Sequence, residues 1–244
     1  MLELRFDGTS YCGWQIQNNG ISVQKTVIDA LESVIGKTAD GLHGCSRTDA
    51  GVHAMRYFCH FDSDTSVQPE RIVLAMNTRL PDNISAVSCK IVDSDFHARY
   101  SAKKKTYRYV INNSAVRDPF TGRYEYLYSR HLNEKIMNNA IKHFTGTHDF
   151  SAFCSSGCSV TDRTRTIYSA KVCRKNDKLI IEISGDGFLY NMVRIIAGTL
   201  IYVDEGKIQS NDLPAIIMSG NRNLAGPTAP AHGLTLCDVS YEDV

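Results

Sequence analysis

Gly44-Cys45-Ser46-Arg47-Thr48-Asp49-Ala50-Gly51-Val52-His53-Ala54-Met55 reads as a polar, glycine-containing loop that runs into a strand, since Met55, Tyr57, Cys59 and Phe61 alternate after it. Before the loop stands a helix. Ser22 has N-cap chemistry, and Val23, Val27, Ile28, Leu31 and Ile35 fall on one helical face until Gly36 stops the run. Further upstream Leu2, Leu4 and Phe6 alternate as a strand that ends in the turn Asp7-Gly8-Thr9-Ser10. Downstream, Pro69 opens a second helix with Ile72, Ala75 and Met76, closed before Pro81.

The same alphabet recurs later in the chain. Tyr107, Tyr109 and Ile111 alternate in a strand; Ile136, Met137, Ala140, Ile141 and Phe144 mark a helix; Leu179, Ile181 and Ile183 mark another strand. A longer helix is expected from Phe188 to about Val203, with Met192, Ile195, Ile196 and Thr199 facing inward. Segments around Ala170 and Ile181 are close enough along the chain for antiparallel pairing. The expectation is an α+β protein of two similar halves, residues 1–98 and 99–244, each an antiparallel sheet with helices on one face. No repeat at a fixed period marks the halves, so the division rests on element order.

With 244 residues the chain can bury a sizeable core. Its 43% hydrophobic and 22% charged residues suit a water-soluble globular protein and exclude a disordered or fibrous one. No apolar run is long enough to cross a bilayer and the N-terminus has no signal-peptide core, so the expected location is the cytoplasm, away from membranes. The eight cysteines form no framework and are expected to be reduced. Cys154 and Cys158 are the one close pair; zinc needs four ligands and no second close pair accompanies them, so no metal is expected.

A net charge of +1 decides nothing about nucleic acid, because phosphate is attracted by a local basic face. Phe96 to Arg108 is such a segment, with Arg99, Lys103, Lys104, Lys105 and Arg108, no acid, and interleaved aromatic rings. Cations beside rings suit a polynucleotide surface; an ordinary solvated charge run is the alternative.

Asp49 invites a chemical question. An aspartate before Ala-Gly can be a turn-former whose carboxylate accepts backbone N–H bonds. Arg47 and Thr48 nevertheless put a cation and a hydroxyl beside it, Gly51 permits close backbone approach, and strand ends are where sites collect. A carboxylate held by an arginine and shielded from water is a candidate catalyst.

RTDAGVHA, residues 47–54, resembles the signature of the pseudouridine synthase A family, the tRNA pseudouridine synthases that act on the anticodon stem-loop. Four further blocks resemble the family in order. Phe6-Asp7-Gly8-Thr9-Ser10-Tyr11-Cys12-Gly13-Trp14-Gln15-Ile16-Gln17 matches its opening motif, with Ser22-Val23-Gln24 starting the next helix; Phe96-His97-Ala98-Arg99 and Lys105-Thr106-Tyr107-Arg108-Tyr109 match its central block. Phe188-Leu189-Tyr190-Asn191-Met192-Val193-Arg194 with Gly198, and Ala229-Pro230-Ala231-His232-Gly233-Leu234, match its closing blocks.

The resemblance implies a ferredoxin-like or RRM-like pseudouridine synthase fold with a catalytic cleft between the halves. It implies an isomerase that detaches the base of a tRNA uridine, at positions thirty-eight to forty, rotates it and rejoins it through carbon, with no cofactor and no metal. Asp49 matches the catalytic aspartate, which attacks the sugar carbon or removes a ribose proton. Tyr107 matches the active-site tyrosine, whose ring can stack on the uracil and whose hydroxyl can help remove the proton from the new attachment carbon. Arg194 is implied to pair with Asp49 and keep it ionised, a surface helix cation being the bland alternative. Arg47 is expected to contact RNA phosphate or to fill the stack after the uridine flips out, or else to be a structural partner of Asp49. Leu189 is expected to line the pocket, and Arg99, Lys103, Lys104 and Lys105 to contact RNA; His53 is read as structural.

At Tyr190-Asn191 the family commonly carries basic or histidine residues, so this chain has less positive charge there. A homodimer spanned by the tRNA is also implied. Two other function classes stand beside the enzyme: a non-catalytic RNA-binding module or RNA chaperone that keeps the fold, and a glycosidase-like hydrolase. The hydrolase would want a second positioned carboxylate, and no partner for Asp49 stands out.

Overall fold

A computed structural model describes residues 1–18, 20–38, 41–158 and 160–242 of the chain. They divide into two compact units: Met1–Lys103 with Thr235–Val244, and Lys104–Leu234.

In the first unit β1 (Leu2–Phe6) buries Leu2, Leu4 and Phe6, and each such side chain contributes about 1.5–3 kcal/mol by leaving water. Helix α1 (Val23–Ile35) starts where expected: the Ser22 hydroxyl accepts the Lys25 N–H at 3.2 Å, and Gly36 ends it at φ 82°. Its buried residues are Val23, Val27, Ala30 and Leu31, while Ile28 and Ile35 lie at the margin of the face. Short β2 (His43–Gly44) pairs with β3 (His53–His60), which also pairs with β1. Helix α2 (Pro69–Asn77) packs on α1 and on β4 (Ile84–Cys89), the partner of β1 on its other edge.

Strand β3 departs from simple alternation. Tyr57, Phe58 and Cys59 are all buried whereas Met55 is 53% exposed, and Phe61 falls beyond the strand. The register against β1 shifts between Leu4 and Phe6, and such a bulge turns side chains to the other face.

In the second unit β5 (Lys104–Asn112) pairs with β9 (Lys178–Gly185), which pairs with β8 (Thr164–Lys175), which pairs with β7 (Gly146–Asp149), all antiparallel. A two-residue strand, β6 (Tyr126–Leu127), runs parallel beside β5. Helix α3 (Glu134–Ala140), capped by the Asn133 side chain, continues as a 3₁₀ turn through Phe144. Met137, Ala140, Ile141 and Phe144 are fully buried, but Ile136 is 42% exposed, one step outside the stripe.

Helix α4 (Met192–Asp204) is shorter than expected at its start. Phe188 to Tyr190 precede it, and Asn191 adopts the left-handed conformation at φ 62°, which cannot belong to an α-helix. Ten of its residues are buried, so it is a core helix rather than an amphipathic one. Helix α5 (Leu213–Ser219) follows.

The last strand, β10 (Leu234–Ser240), lies on the sheet of the first unit. Thr235 and Leu236 pair in parallel with His53 and Ala54, so the sheet order there is β4-β1-β3-β10.

Candidate active site

Asp49 stands in the loop between β2 and β3, half-buried, with Arg47 exposed and Thr48 buried just ahead of it in the chain. The loop is held by backbone contacts rather than by side-chain bulk. Trp14 N–H donates to Thr48 O at 3.0 Å, Val52 N–H closes a turn onto Asp49 O at 3.1 Å, and Gly51 takes φ 79°. Two glycines of the opening motif make this approach possible. A Cβ at Gly8 would stand 2.0 Å from Val52 O, and one at Gly13 would stand 2.5 Å from Thr48 O. The loop's entry is fixed by the Tyr57 hydroxyl, which donates to Ser46 O, and by Trp14, whose ring lies 4.2 Å from that of Tyr57.

His53 clamps the exit. Its Nδ1 lies 3.1 Å from Gly8 N and 3.0 Å from Asp7 Oδ1, and its ring is 3% exposed. With the proton on Nε2 it accepts from Gly8; protonated on Nδ1 it donates to Asp7. Both arrangements tie the turn after β1 to the start of β3. The Thr48 hydroxyl is buried with no hydrogen-bond partner among the described residues, a donor left over next to Asp49.

Tyr107 lies on β5, 6% exposed, with the edge of its ring against Phe188 at 5.1 Å between centroids. Leu189 is also buried. Arg194 is no loose surface cation: its Nε donates to Ala229 O at 2.8 Å and its Nη1 to Asn191 Oδ1 at 2.6 Å. Ala229 N–H in turn bonds Arg194 O, so the closing block Ala229–Leu234 is stitched to α4. Gly198 and Gly226 allow the crossing, since a Cβ at Gly198 would meet Pro227 O at 1.8 Å. On the same unit the Tyr109 hydroxyl donates to Pro230 O, and burial drives its pKa far up despite the nearby Arg194.

The five cations of the basic segment do not form one exposed stripe. Lys103 is exposed, Arg99 and Lys104 are half-buried, and Lys105 is 8% exposed on the same face of β5 as Tyr107. Arg108 is engaged by Glu182 at 3.2 Å. Alternation along β5 carries this signal, which the count of basic residues hides.

Sequence reasoning singled out Asn191 only as a departure and passed over Ser155, yet the Asn191 amide donates to Ser155 Oγ at 2.9 Å and so links Arg194 to the loop after Phe153. Among the described residues no group of three or more His, Cys, Asp or Glu could hold a metal ion. In that loop burial pushes the Cys154 thiol up to about 11; for Cys158 burial is outweighed by backbone N–H groups, the Cys154 thiol and Arg163, which draw its pKa down.

The family described as tRNA pseudouridine synthase matches residues 4–101 and 140–242. The chain belongs to that family. Its relatives include the tRNA pseudouridine synthase A of Clostridium acetobutylicum, 45% identical over 240 residues that cover 98% of both chains. That of Acetivibrio thermocellus is 46% identical with the same coverage, and that of a Thermoanaerobacter species is 44% identical over 99% of this chain and 98% of its own. Within the tRNA pseudouridine synthase match lie Asp49, Leu189 and Arg194, whereas Tyr107 falls in the interval between its two parts. No helix among the described residues is long and apolar enough to cross a membrane.

Proposed function

We propose that the chain isomerises uridine to pseudouridine in the anticodon stem-loop of tRNA, without a cofactor. The reaction balances by itself: the bond from uracil N1 to ribose C1′ breaks, a bond from C5 to C1′ forms, C5 gives up its proton and N1 ends with one. No electrons are gained or lost, so the work is positioning and proton transfer.

Asp49 is the carboxylate that acts on the ribose as the glycosidic bond breaks. The observation that carries the reading is the Asp49 loop itself, pinned by Trp14, Val52 and the glycine approaches at Gly8 and Gly13 inside a matched family segment. Such pinning keeps a reacting group within the small displacement that catalysis tolerates. Tyr107 offers the detached uracil a ring already fixed by Phe188 and a hydroxyl for the C5 proton. Arg194, held by Ala229 and Asn191, is the fixed cation of the reaction. Leu189 excludes water, and Arg47, Arg99, Lys103, Lys104 and Lys105 bind RNA. The protein works as a cytoplasmic homodimer.

The test is tritium release from tRNA labelled at uracil C5. The wild type is expected to release it and Asp49→Ala to release none while still binding tRNA; binding without release by the wild type would point to the non-catalytic module instead.

A further inference from the structure

Wholly within the second unit lies a hollow of about 730 Å³ to which the sequence reading assigned nothing. Arg163, Arg222, Ser155, Ser156, Asn223 and Tyr202 line it, and no acidic residue is among its lining. Ser151, at its edge, has turned its hydroxyl to Asp149 at 2.6 Å. Arg222 is locked in place by neutral groups, with Nη1 on Gly226 O at 2.9 Å and Nη2 on Thr228 Oγ1 at 3.3 Å. Those bonds fix the guanidinium and leave its charge uncompensated; burial pulls its pKa down and no carboxylate offsets that. A second half-buried guanidinium, Arg163, shares the hollow.

A half-buried cation without a counter-ion is unfavourable by itself, and the partner that relieves it is an anion. The set on offer, two planar guanidinium forks with serine hydroxyls and an amide, fits the tetrahedral oxygens of a phosphate. The volume exceeds what a lone phosphate fills and suits a nucleotide-sized group. The hollow also adjoins the proposed reaction site: Ser155, in its wall, accepts the amide of Asn191, and Asn191 holds Arg194.

We propose that this hollow is a phosphate subsite that seats the backbone of the substrate RNA beside the nucleotide being modified. The proposal rests on the tRNA reading above, and it is tested by binding so that its failure is separable from a failure of catalysis.

The experiment measures the affinity of the full chain for a tRNA transcript by fluorescence anisotropy across a salt series. Loss of one phosphate contact lowers the slope of log K against log salt by about 0.7–0.9, whatever the RNA sequence. Arg163→Gln is expected to weaken binding roughly threefold to tenfold at low salt and to lower the slope by that amount, and Arg163→Lys to restore most of the slope. Arg222→Gln is expected to do the same as Arg163→Gln, with thermal melting reporting any loosening of the 225–228 segment. Lys135→Gln, on an exposed position of α3 outside the hollow, serves as the control and is expected to leave the slope as in the wild type. Unchanged affinity and slope in a folded Arg163→Gln would overturn the proposal. So would loss of stabilisation by inorganic phosphate with RNA binding intact, which would make the hollow a site for a free anion. Absence of tritium release by the wild type would sink the catalytic reading and leave the slope measurement valid.

Discussion

Asn191 and Arg194 form a bond of 2.6 Å from guanidinium Nη1 to amide Oδ1, made across the first turn of α4 by a residue that stands in the left-handed conformation. The helix therefore begins with its cap side chain turned onto a cation instead of onto the free N–H groups of the first turn. A hydrogen bond to a charged group is worth about 1.5–3 kcal/mol, enough to decide where Arg194 points.

Removing that amide is expected to lower turnover roughly tenfold to a hundredfold. Asn191→Ala and Asn191→Gly separate the two roles of the residue. Both lose the Arg194 contact and turnover, while only alanine carries the left-handed strain, about 1–2 kcal/mol, which urea titration reads. Equal turnover in wild type and Asn191→Gly would remove Asn191 from the positioning of Arg194.

Gly8→Ala should cost roughly 3 kcal/mol or more and abolish activity, because the new methyl would overlap the Val52 carbonyl and push the Asp49 loop away. Gly36→Ala is the contrast: nothing lies within 4 Å of its Cβ, so only the backbone conformation at φ 82° and ψ −166° is felt, at about 1–3 kcal/mol and without displacing the Asp49 loop. Denaturation midpoints of the two variants give the comparison.

Stability should fall on acidification below about pH 6.5. His60 packs 4.7 Å from His97 and 5.0 Å from His43, and burial together with these rings lowers its pKa to about 4. Its stabilising contribution is full above the unfolded value near 6.5 and is lost as pH falls to the folded value, because the unfolded chain takes up the proton first. Melting temperatures between pH 7.5 and 4 should show less of this fall in His60→Gln.

Cys158 should alkylate faster than Cys154, on the order of tenfold or more with iodoacetamide at neutral pH, since the Cys154 thiol is raised by burial and that of Cys158 is lowered. Peptide mapping after a timed pulse reports the ratio, and equal labelling would contradict the described loop geometry.

Much of the fold is legible where local chemistry decides it. Ser22 and Gly36 bracket α1 because capping is a matter of a few neighbouring residues, and Leu179, Ile181 and Ile183 expose their period because one face of β9 is buried. The start of α4 is less legible. Phe188 to Tyr190 look helical by apolarity, and the left-handed turn at Asn191 depends on Arg194 and Ser155, contacts that composition does not display. Met55 misleads because it sits in a bulge of β3 itself, where Met55 and Arg56 stand opposite the single residue Arg5 of β1. The Asp49 motif can be read directly, but the reason it holds its shape lies in Gly8 and Gly13, which are far upstream in sequence and against the loop in space. The basic segment shows the opposite error: its five cations count alike, yet alternation within β5 buries Lys105 and leaves Lys104 half-buried, while Lys103, ahead of the strand, is exposed.

The pairing of β10 with β3 has a temporal side. His53 and Ala54, directly after the Asp49 loop, find their parallel neighbours in Thr235 and Leu236, and the Arg56–Asp238 ion pair beside them closes over 182 positions. Contacts of such separation form late and slowly, after nearer ones. On the ribosome the Asp49 loop is synthesised well before β10, and the His53–Ala54 stretch that follows it keeps an open edge until β10 has been made. A chain stalled before β10 would therefore carry the motif without the strand that steadies it.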